Sequence, residues 1–158
     1  LNGHHIRDAD DARLARLVAQ EMSAPADEKL LEQAMPFLKP RAKDVHELVE
    51  GSRFLFRQRP LKMDEKAAKL LDEDGRARLA EVSAVLHREN DWTSEALEAT
   101  TKALAERLEL GLGKLAQPMR AALTGSTQSP GIFDVLVLLG REESLARIDD
   151  AHHDRVTS

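Results

Sequence analysis

Arg120-Ala-Ala-Leu-Thr-Gly-Ser-Thr-Gln-Ser-Pro-Gly-Ile-Phe-Asp-Val-Leu-Val-Leu-Leu-Gly-Arg-Glu-Glu-Ser-Leu-Ala-Arg147 is the stretch whose reading decides the fold. It runs as a helix end, a polar loop of small residues, a Pro-Gly elbow, an almost wholly apolar segment and a charged closing helix. Gly125 is well placed as the stop of the first helix, because glycine enters the left-handed region without a Cβ penalty. Residues 132–139 are apolar nearly all round and are expected to form the most buried element. So short a run with two valines also suits a strand, but no partner strand lies nearby, and it reads as helix. Residues 142–148 close the fold, and 151–158 read as a frayed tail.

Helical spacing recurs upstream. Leu115, Ala116, Met119, Ala122 and Leu123 share a helix in which Pro118 sits early, where a missing amide costs least. Gly111-Leu-Gly113 separates it from a helix opened by Trp92-Thr-Ser-Glu, with Thr93 or Ser94 as cap and Leu97, Thr101, Leu104 and Leu108 on one face. Leu79, Val82, Val85 and Leu86 mark another, ending near Asn90-Asp91. Residues 67–71 give a short helical turn closed by Asp74-Gly75. Nearer the start, Asp10 or Asp11 caps Leu14, Leu17 and Val18, and Ser23-Ala-Pro25 breaks that helix. Asp27 opens Leu30, Leu31, Ala34, Met35 and Leu38, which Pro36 is expected to kink or shorten. Lys39-Pro40 is a stop, after which Asp44 opens Val45, Leu48, Val49, Ser52 and Leu55, ended by Arg59-Pro60. The reading is all-α: about eight helices in two packed subdomains, 1–62 with three and 63–158 with about five. No fixed-period repeat is present.

Composition supports this class. The chain has 158 residues, 42% hydrophobic and 32% charged, with no Tyr, one Trp and four Phe; such a balance suits a folded helical protein and argues against disorder. Cysteine is absent, which excludes disulfides, cysteine nucleophiles and thiolate metal sites and fits a reducing, cytoplasmic setting. No apolar run approaches the ~20 residues of a membrane span, and nothing resembles a signal peptide. The chain opens at Leu1 in mid-phrase and reads as a piece of a longer protein.

The net charge of −5 is unevenly spread. Residues 39–62 hold seven basic side chains (Lys39, Arg41, Lys43, Arg53, Arg57, Arg59, Lys62) against three acidic ones (Asp44, Glu47, Glu50), whereas residues 63–110 hold twelve acidic and seven basic. A basic island in an acidic protein can meet phosphates locally while repulsion elsewhere limits unspecific RNA binding. The bland alternative is a solvated face whose cations pair with nearby carboxylates.

Catalytic and metal motifs fail on spacing. His46-Glu47 has no second histidine one turn on, since position 50 is Glu. His4-His5 and His152-His153 are adjacent pairs whose helical neighbours point ~100° apart, poor geometry for joint ligation. Gly111-Leu-Gly113-Lys114 lacks the spacing and preceding strand of a phosphate loop. Asp72, Glu73 and Asp74 read as an exposed acidic turn, and Ser126 and Ser129 have no nearby base. No active centre is expected.

A contact surface for nucleic acid is. Arginine can bond a base edge with two parallel donors, and hydroxyls donate or accept at unstacked bases. Thr127-Gln128-Ser129-Pro130-Gly131-Ile132 supplies hydroxyls, an amide, a stiff elbow and an apolar platform, leading into a helix amino end with free amides. By composition alone such a loop is more often a simple connector.

The order of elements in 120–147, with Gly113-Lys-Leu-Ala-Gln-Pro-Met-Arg120-Ala-Ala-Leu-Thr-Gly125 and Leu139-Gly-Arg-Glu-Glu-Ser-Leu-Ala-Arg147, resembles the C-terminal, anticodon-binding region of bacterial glutamyl-tRNA synthetases. Asn2-Gly3 through Ile6-Arg7 and Leu38-Lys-Pro-Arg41-Ala-Lys-Asp-Val-His-Glu-Leu48 are similar to further segments, while 60–95 align only by length and helical character. The resemblance implies that Arg41 faces the third anticodon base, cytosine in glutamate tRNA and guanine in glutamine tRNA. It implies that Arg120 lies near the first base, that Ser129, Pro130 and Ile132 belong to the loop lining the second and third, and that Thr127 and Gly131 of the same loop contact the anticodon. Ser129 stands where some relatives have threonine, and Ile132 where they have leucine. For Arg41 the structural alternative is a salt bridge to Asp44 or Glu47; for Arg120 it is a surface arginine or a dipole partner at a helix C-terminus.

The resemblance further implies an intact enzyme that uses ATP and Mg to attach glutamate to tRNA. This chain lacks the His-x-Gly-His and Lys-Met-Ser-Lys-Ser type elements of that chemistry, so no cofactor is expected in it. The partner is the anticodon loop of glutamate tRNA, with no membrane, no DNA and a monomeric state. The alternatives are a helical protein-interaction module and the anticodon domain of a relaxed synthetase that also charges glutamine tRNA. The basic arginines and the polar bend are expected to converge on one pocket.

Overall fold

The computed structural model describes residues 9–22 and 27–157. The segments 2–7, with His4-His5, and the Ser23-Ala-Pro25 break lie outside the described residues. The chain divides into two compact units, Leu1–Arg57 and Gln58–Ser158, five residues before the expected 62/63 boundary. Residues 58–62 go with the second unit for a physical reason. Arg59 Nη1 pairs with Asp150 at 3.1 Å, and Leu61 and Met63 exchange backbone bonds with Thr157 (Thr157 N to Leu61 O, 3.0 Å; Met63 N to Thr157 O, 2.7 Å).

In the first unit, α1 (Asp11–Glu21), α2 (Glu28–Leu38) and α3 (Val45–Ser52) pack on one another. Their shared core is Leu14, Ala15 and Val18 from α1, Leu31, Ala34, Met35 and Leu38 from α2, and Leu48 and Val49 from α3. These positions follow the three-four spacing of a buried helical stripe. Asp27 caps α2 by accepting from Lys29 N and Leu30 N, and Asp44 caps α3 by accepting from Glu47 N. Asp10 precedes α1 without a side-chain cap bond. Pro36 does not end α2, which runs on to Leu38 and passes into a 3-10 turn, Lys39–Arg41.

The second unit comprises α4 (Glu65–Leu70), α5 (Glu73–His87), α6 (Ser94–Arg107), α7 (Leu112–Thr124), α8 (Ile132–Leu139) and α9 (Arg141–His152). With these six the described residues hold nine α-helices and no strand beyond the isolated Lys62–Thr157 bridge, so the all-α architecture holds. Among them α7 is the central helix: it touches α4, α5, α6, α8 and α9 and buries Leu115, Pro118, Met119, Ala121, Ala122, Leu123 and Thr124.

Four local expectations are corrected. First, α8 is not the most buried element: only Ile132, Val135 and Leu136 are buried, and Val137 is 42% exposed. A helix apolar all round needs neighbours all round, and α8 packs chiefly on α6, α7 and α9. Second, α7 begins at Leu112, so Gly113 lies inside it and Pro118 falls in its second turn. Third, Gly75 does not stop a helix. Asp72 caps α5 by accepting from Gly75 N at 2.8 Å, and Glu73 and Asp74 occupy the first turn, where carboxylates favour the positive end of the dipole. A Cβ on Gly75 would stand 2.0 Å from Leu70 O, so glycine is required by close approach of α4's end. Fourth, the tail is not frayed: Ala151 is buried, and Thr157 is bonded into the 61–63 segment.

Candidate RNA interface

The loop between α7 and α8 is built on its own hydrogen bonds. Gly125 takes φ 74° and its N–H bonds Ala121 O, closing α7 with a left-handed residue. Thr124 Oγ1 donates to Arg120 O at 2.8 Å and accepts from Ser126 N at 3.2 Å. Gln128 N bonds Ser126 Oγ at 3.1 Å. Across the loop, Arg120 Nε donates to Ser129 Oγ at 2.9 Å, and Ser129 Oγ donates to Pro130 O at 2.8 Å. Asp64 N reaches in from the start of α4 to bond Gly125 O at 2.9 Å.

The structure therefore brings Arg120 and Ser129 together, two residues singled out separately in the sequence. It does not present every loop side chain alike. Ser129 is 8% exposed and Ile132 4%, and Pro130 is buried too; Thr127 is half-buried, and Gln128 and Gly131 are exposed. Ser129, Pro130 and Ile132 are thus interior side chains that set the loop's shape. The groups at its surface are Thr127, Gln128, Gly131 and the half-buried Arg120.

Arg41 lies in the first unit as the last residue of the 3-10 turn and is exposed. Asp44 and Glu47, the carboxylates expected as its alternative partners, accept from backbone amides. Asp44 Oδ1 accepts from Glu47 N at 2.8 Å, and Glu47 Oε2 accepts from Lys43 N at 2.9 Å. Neighbouring Lys39 is turned inward to Asp11 Oδ1 at 2.9 Å and to Ala9 O at 3.3 Å. Arg41 belongs to the first unit and Arg120 to the second.

The basic island is partly neutralised. Lys39 pairs with Asp11, Arg53 with Glu50, and Arg59 with Asp150 and Glu143, while Arg57 is engaged in a further interaction. Arg59 and Lys62 fall in the second unit. The remaining motif candidates have structural roles: Gly111 precedes α7 as its cap residue, and His152 lies 3.3 Å from Asp149. Asp149 also accepts from Ser83 Oγ at 2.5 Å and faces His87 Nε2 at 3.2 Å, joining α5 to α9. Burial alone would raise the Asp149 carboxyl, but the Ser83 hydroxyl and the His87 ring outweigh it and hold it below the usual range.

Sequence reading missed Arg147 as more than part of a helix motif. It is 2% exposed, with Nε on Glu143 Oε2 at 2.7 Å and Nη1 on Leu123 O at 2.6 Å. The Glu143–Arg147 spacing of four was the available signal; its reach to α7 was not.

The second unit thus carries an internally bonded polar loop with Arg120 held against it, and the first unit carries the exposed Arg41 at the end of a 3-10 turn. The chain belongs to the anticodon binding domain family, which matches residues 13–152. It is 76% identical over 149 residues to "Glutamate--tRNA ligase 1" of Erythrobacter litoralis, covering 94% of this chain and 31% of that protein. It is 60% identical over 157 residues to "Glutamate--tRNA ligase 2" of Rhizorhabdus wittichii, covering 95% and 33%. A crystal structure of a glutamate tRNA ligase from Elizabethkingia meningosepticum shares the fold, with a TM-score of 0.83 at 24% identity over 96% of this chain and 31% of that one. The chain spans about a third of the length of these relatives.

Proposed function

We propose that this chain is the anticodon-reading part of a glutamate–tRNA ligase, recognising the anticodon loop of glutamate tRNA so that the whole enzyme attaches glutamate to it. The observation that carries the reading is Arg120, its guanidinium held by Ser129 at 2.9 Å beside a loop whose Thr127, Gln128 and Gly131 reach solvent. A donor fork held in place before binding loses less freedom when it meets a base. The first-turn amides of α8 add donors of fixed direction. Ser129, Pro130 and Ile132 act as the wall that shapes this surface. On the first unit, exposed Arg41 is the reader of the third base, donating to the carbonyl of cytosine; guanine there brings a different edge and size.

The chemistry of charging belongs to the rest of the enzyme, which would supply ATP and Mg. Within this chain Gly111 caps α7 and Gly113 lies in its first turn, and Asp64 and Asp72 cap α4 and α5. The working state is a monomer in the cytoplasm, with no DNA or membrane partner; no helix among the described residues is long and apolar enough to cross a membrane.

The test is titration of this chain with the anticodon stem-loop of a glutamate tRNA at several salt concentrations. Binding should weaken as salt rises and depend on the anticodon; a protein-interaction module would show neither. Arg120→Ala should lower affinity, each lost bidentate base contact accounting for roughly 1–3 kcal/mol. Arg41→Gln should narrow the preference for glutamate over glutamine stem-loops. Equal affinity for both in the unmutated chain would identify a relaxed reader instead.

A further inference from the structure

The last carbonyls of a helix need partners from outside it, and a helix end beneath a loop must find them in the protein. At the end of α7, Ala121 O is taken by Gly125 N at 2.8 Å, while Leu123 O is taken by Arg147 Nη1, a side chain of α9, at 2.6 Å. No basic residue occupies the last turn of α7 itself; the positive charge that its negative end favours comes from Arg147. Glu143 holds Arg147 Nε at 2.7 Å from one turn earlier, so α9 orients the guanidinium against α7. A buried guanidinium is costly unless paired and fully bonded, and this one is placed at the root of the recognition loop.

From that root the bonds run to the reading residue. Leu123 is covalently next to Thr124, whose hydroxyl bonds Arg120 O at 2.8 Å and receives Ser126 N at 3.2 Å. Arg120 in turn holds the far end of the loop through Ser129. A shift of the Leu123 carbonyl therefore moves both the backbone of Arg120 and the start of the loop.

We propose that Arg147 is a positioning residue for anticodon recognition: with Glu143, it fixes the end of α7 so that Arg120 and the 125–131 loop meet RNA in a preset geometry. This rests on the proposed function, and its test separates the two. Affinities for the anticodon stem-loop of a glutamate tRNA are measured with the whole chain, at a temperature where circular dichroism shows each variant folded. Arg147→Met, similar in length but without donors, is expected to bind roughly 5- to 100-fold more weakly, up to the loss of one bidentate contact. Arg147→Lys, which keeps a charge and a donor, is expected to recover part of that loss. Within an Arg120→Ala background, Arg147→Met should weaken binding by a clearly smaller factor, because one of the groups it positions is gone and only the loop remains. Unchanged binding in Arg147→Met, or an equal factor in both backgrounds, would overturn the proposal and leave Arg147 as a helix-to-helix staple. Should Arg147→Met not fold, Arg147→Lys serves in the same pair of backgrounds, with a factor expected to shrink beside Arg120→Ala and an equal one overturning it. If Arg120→Ala itself binds like the parent, the anticodon reading fails and this inference with it; failure of Arg147 alone leaves that reading standing.

Discussion

Ser129→Ala isolates the bond on which the loop's shape depends. The hydroxyl is 8% exposed, accepts from Arg120 Nε at 2.9 Å and donates to Pro130 O at 2.8 Å. Removing it strips one partner from a charged donor and one from a carbonyl, where water has little access to replace either. Hydrogen bonds to charged groups contribute about 1.5–3 kcal/mol. Arg120 is half-buried and keeps other contacts, so the lower end applies, about 1.5 kcal/mol. For a unit the size of Gln58–Ser158, a change of that size lowers the melting temperature by about 6–12 °C. Urea unfolding followed by far-ultraviolet circular dichroism should show an earlier midpoint with an unchanged slope, the mark of lost stability without a changed unfolded state. Ser129→Cys, close in volume but a much weaker donor and acceptor, should lose stability in the same direction as Ser129→Ala. An Ala variant with the parent's midpoint would refute the reasoning, since the bond would then contribute nothing to the fold.

Two further outcomes follow from the second unit. Gly75→Ala should destabilise by about 1–3 kcal/mol, because its Cβ would stand 2.0 Å from Leu70 O; the ~1 kcal/mol helix-propensity gain of alanine does not offset a backbone clash, and a urea midpoint equal to or above the parent's would reject this. Asp149 has a folded-state carboxyl held below its usual range by Ser83 and His87, so its contribution is complete above the unfolded value of about 4 and fades as pH falls through the lower, folded one. Asp149→Asn should flatten the acid limb of the stability–pH curve, measured as melting temperature against pH; an unchanged limb would count against it.

The stripes that define α1, α2 and α3 were legible in their apolar spacing, and for α2 and α3 capping aspartates agree with it, whereas Asp10 makes no side-chain cap bond to α1. Asp27 and Asp44 do in the structure what their position before an apolar run implies. Where local signals compete, the tertiary structure decided. Gly75 after Asp74 has the form of a stop, yet α4's end lies so close to this first-turn position that only glycine fits. An apolar segment implies burial, yet Val137 of α8 remains exposed because its neighbours cover only part of its circumference. The tail, polar and terminal, gave no local hint that Thr157 would pair with a segment 96 residues away.

The candidate site divides along the same line. Residue types at 120 and 127–132 marked the loop, because arginine, hydroxyls and a Pro-Gly elbow before an apolar helix form a local pattern. Which of them face inward was not legible: the burial of Ser129 and Ile132 depends on α7, and the support from Arg147 comes from α9. Both are long-range facts that a spacing of residues does not encode.

How an acidic chain meets RNA follows from the fate of the basic island. Of its seven cations, Lys39, Arg53 and Arg59 are in ion pairs and Arg57 is engaged, which leaves Arg41, Lys43 and Lys62 as the ones without a carboxylate partner among the described residues. Each phosphate neutralised on a single strand contributes about −0.7 to the slope of log K against log salt. Lys43 and Lys62 as phosphate contacts, with Arg41 adding its charge beside the base it reads, predict a slope of at most about −2, whereas a fully available island of seven predicts about −5. Fluorescence anisotropy of a labelled glutamate anticodon stem-loop, from low to moderate salt, reads the slope directly. A value near −5 would mean that the ion pairs open on binding and that charge, rather than base contact, dominates. A value near −2 means the protein withholds most of its positive charge from the backbone, so that affinity rests on contacts that differ between one anticodon and another.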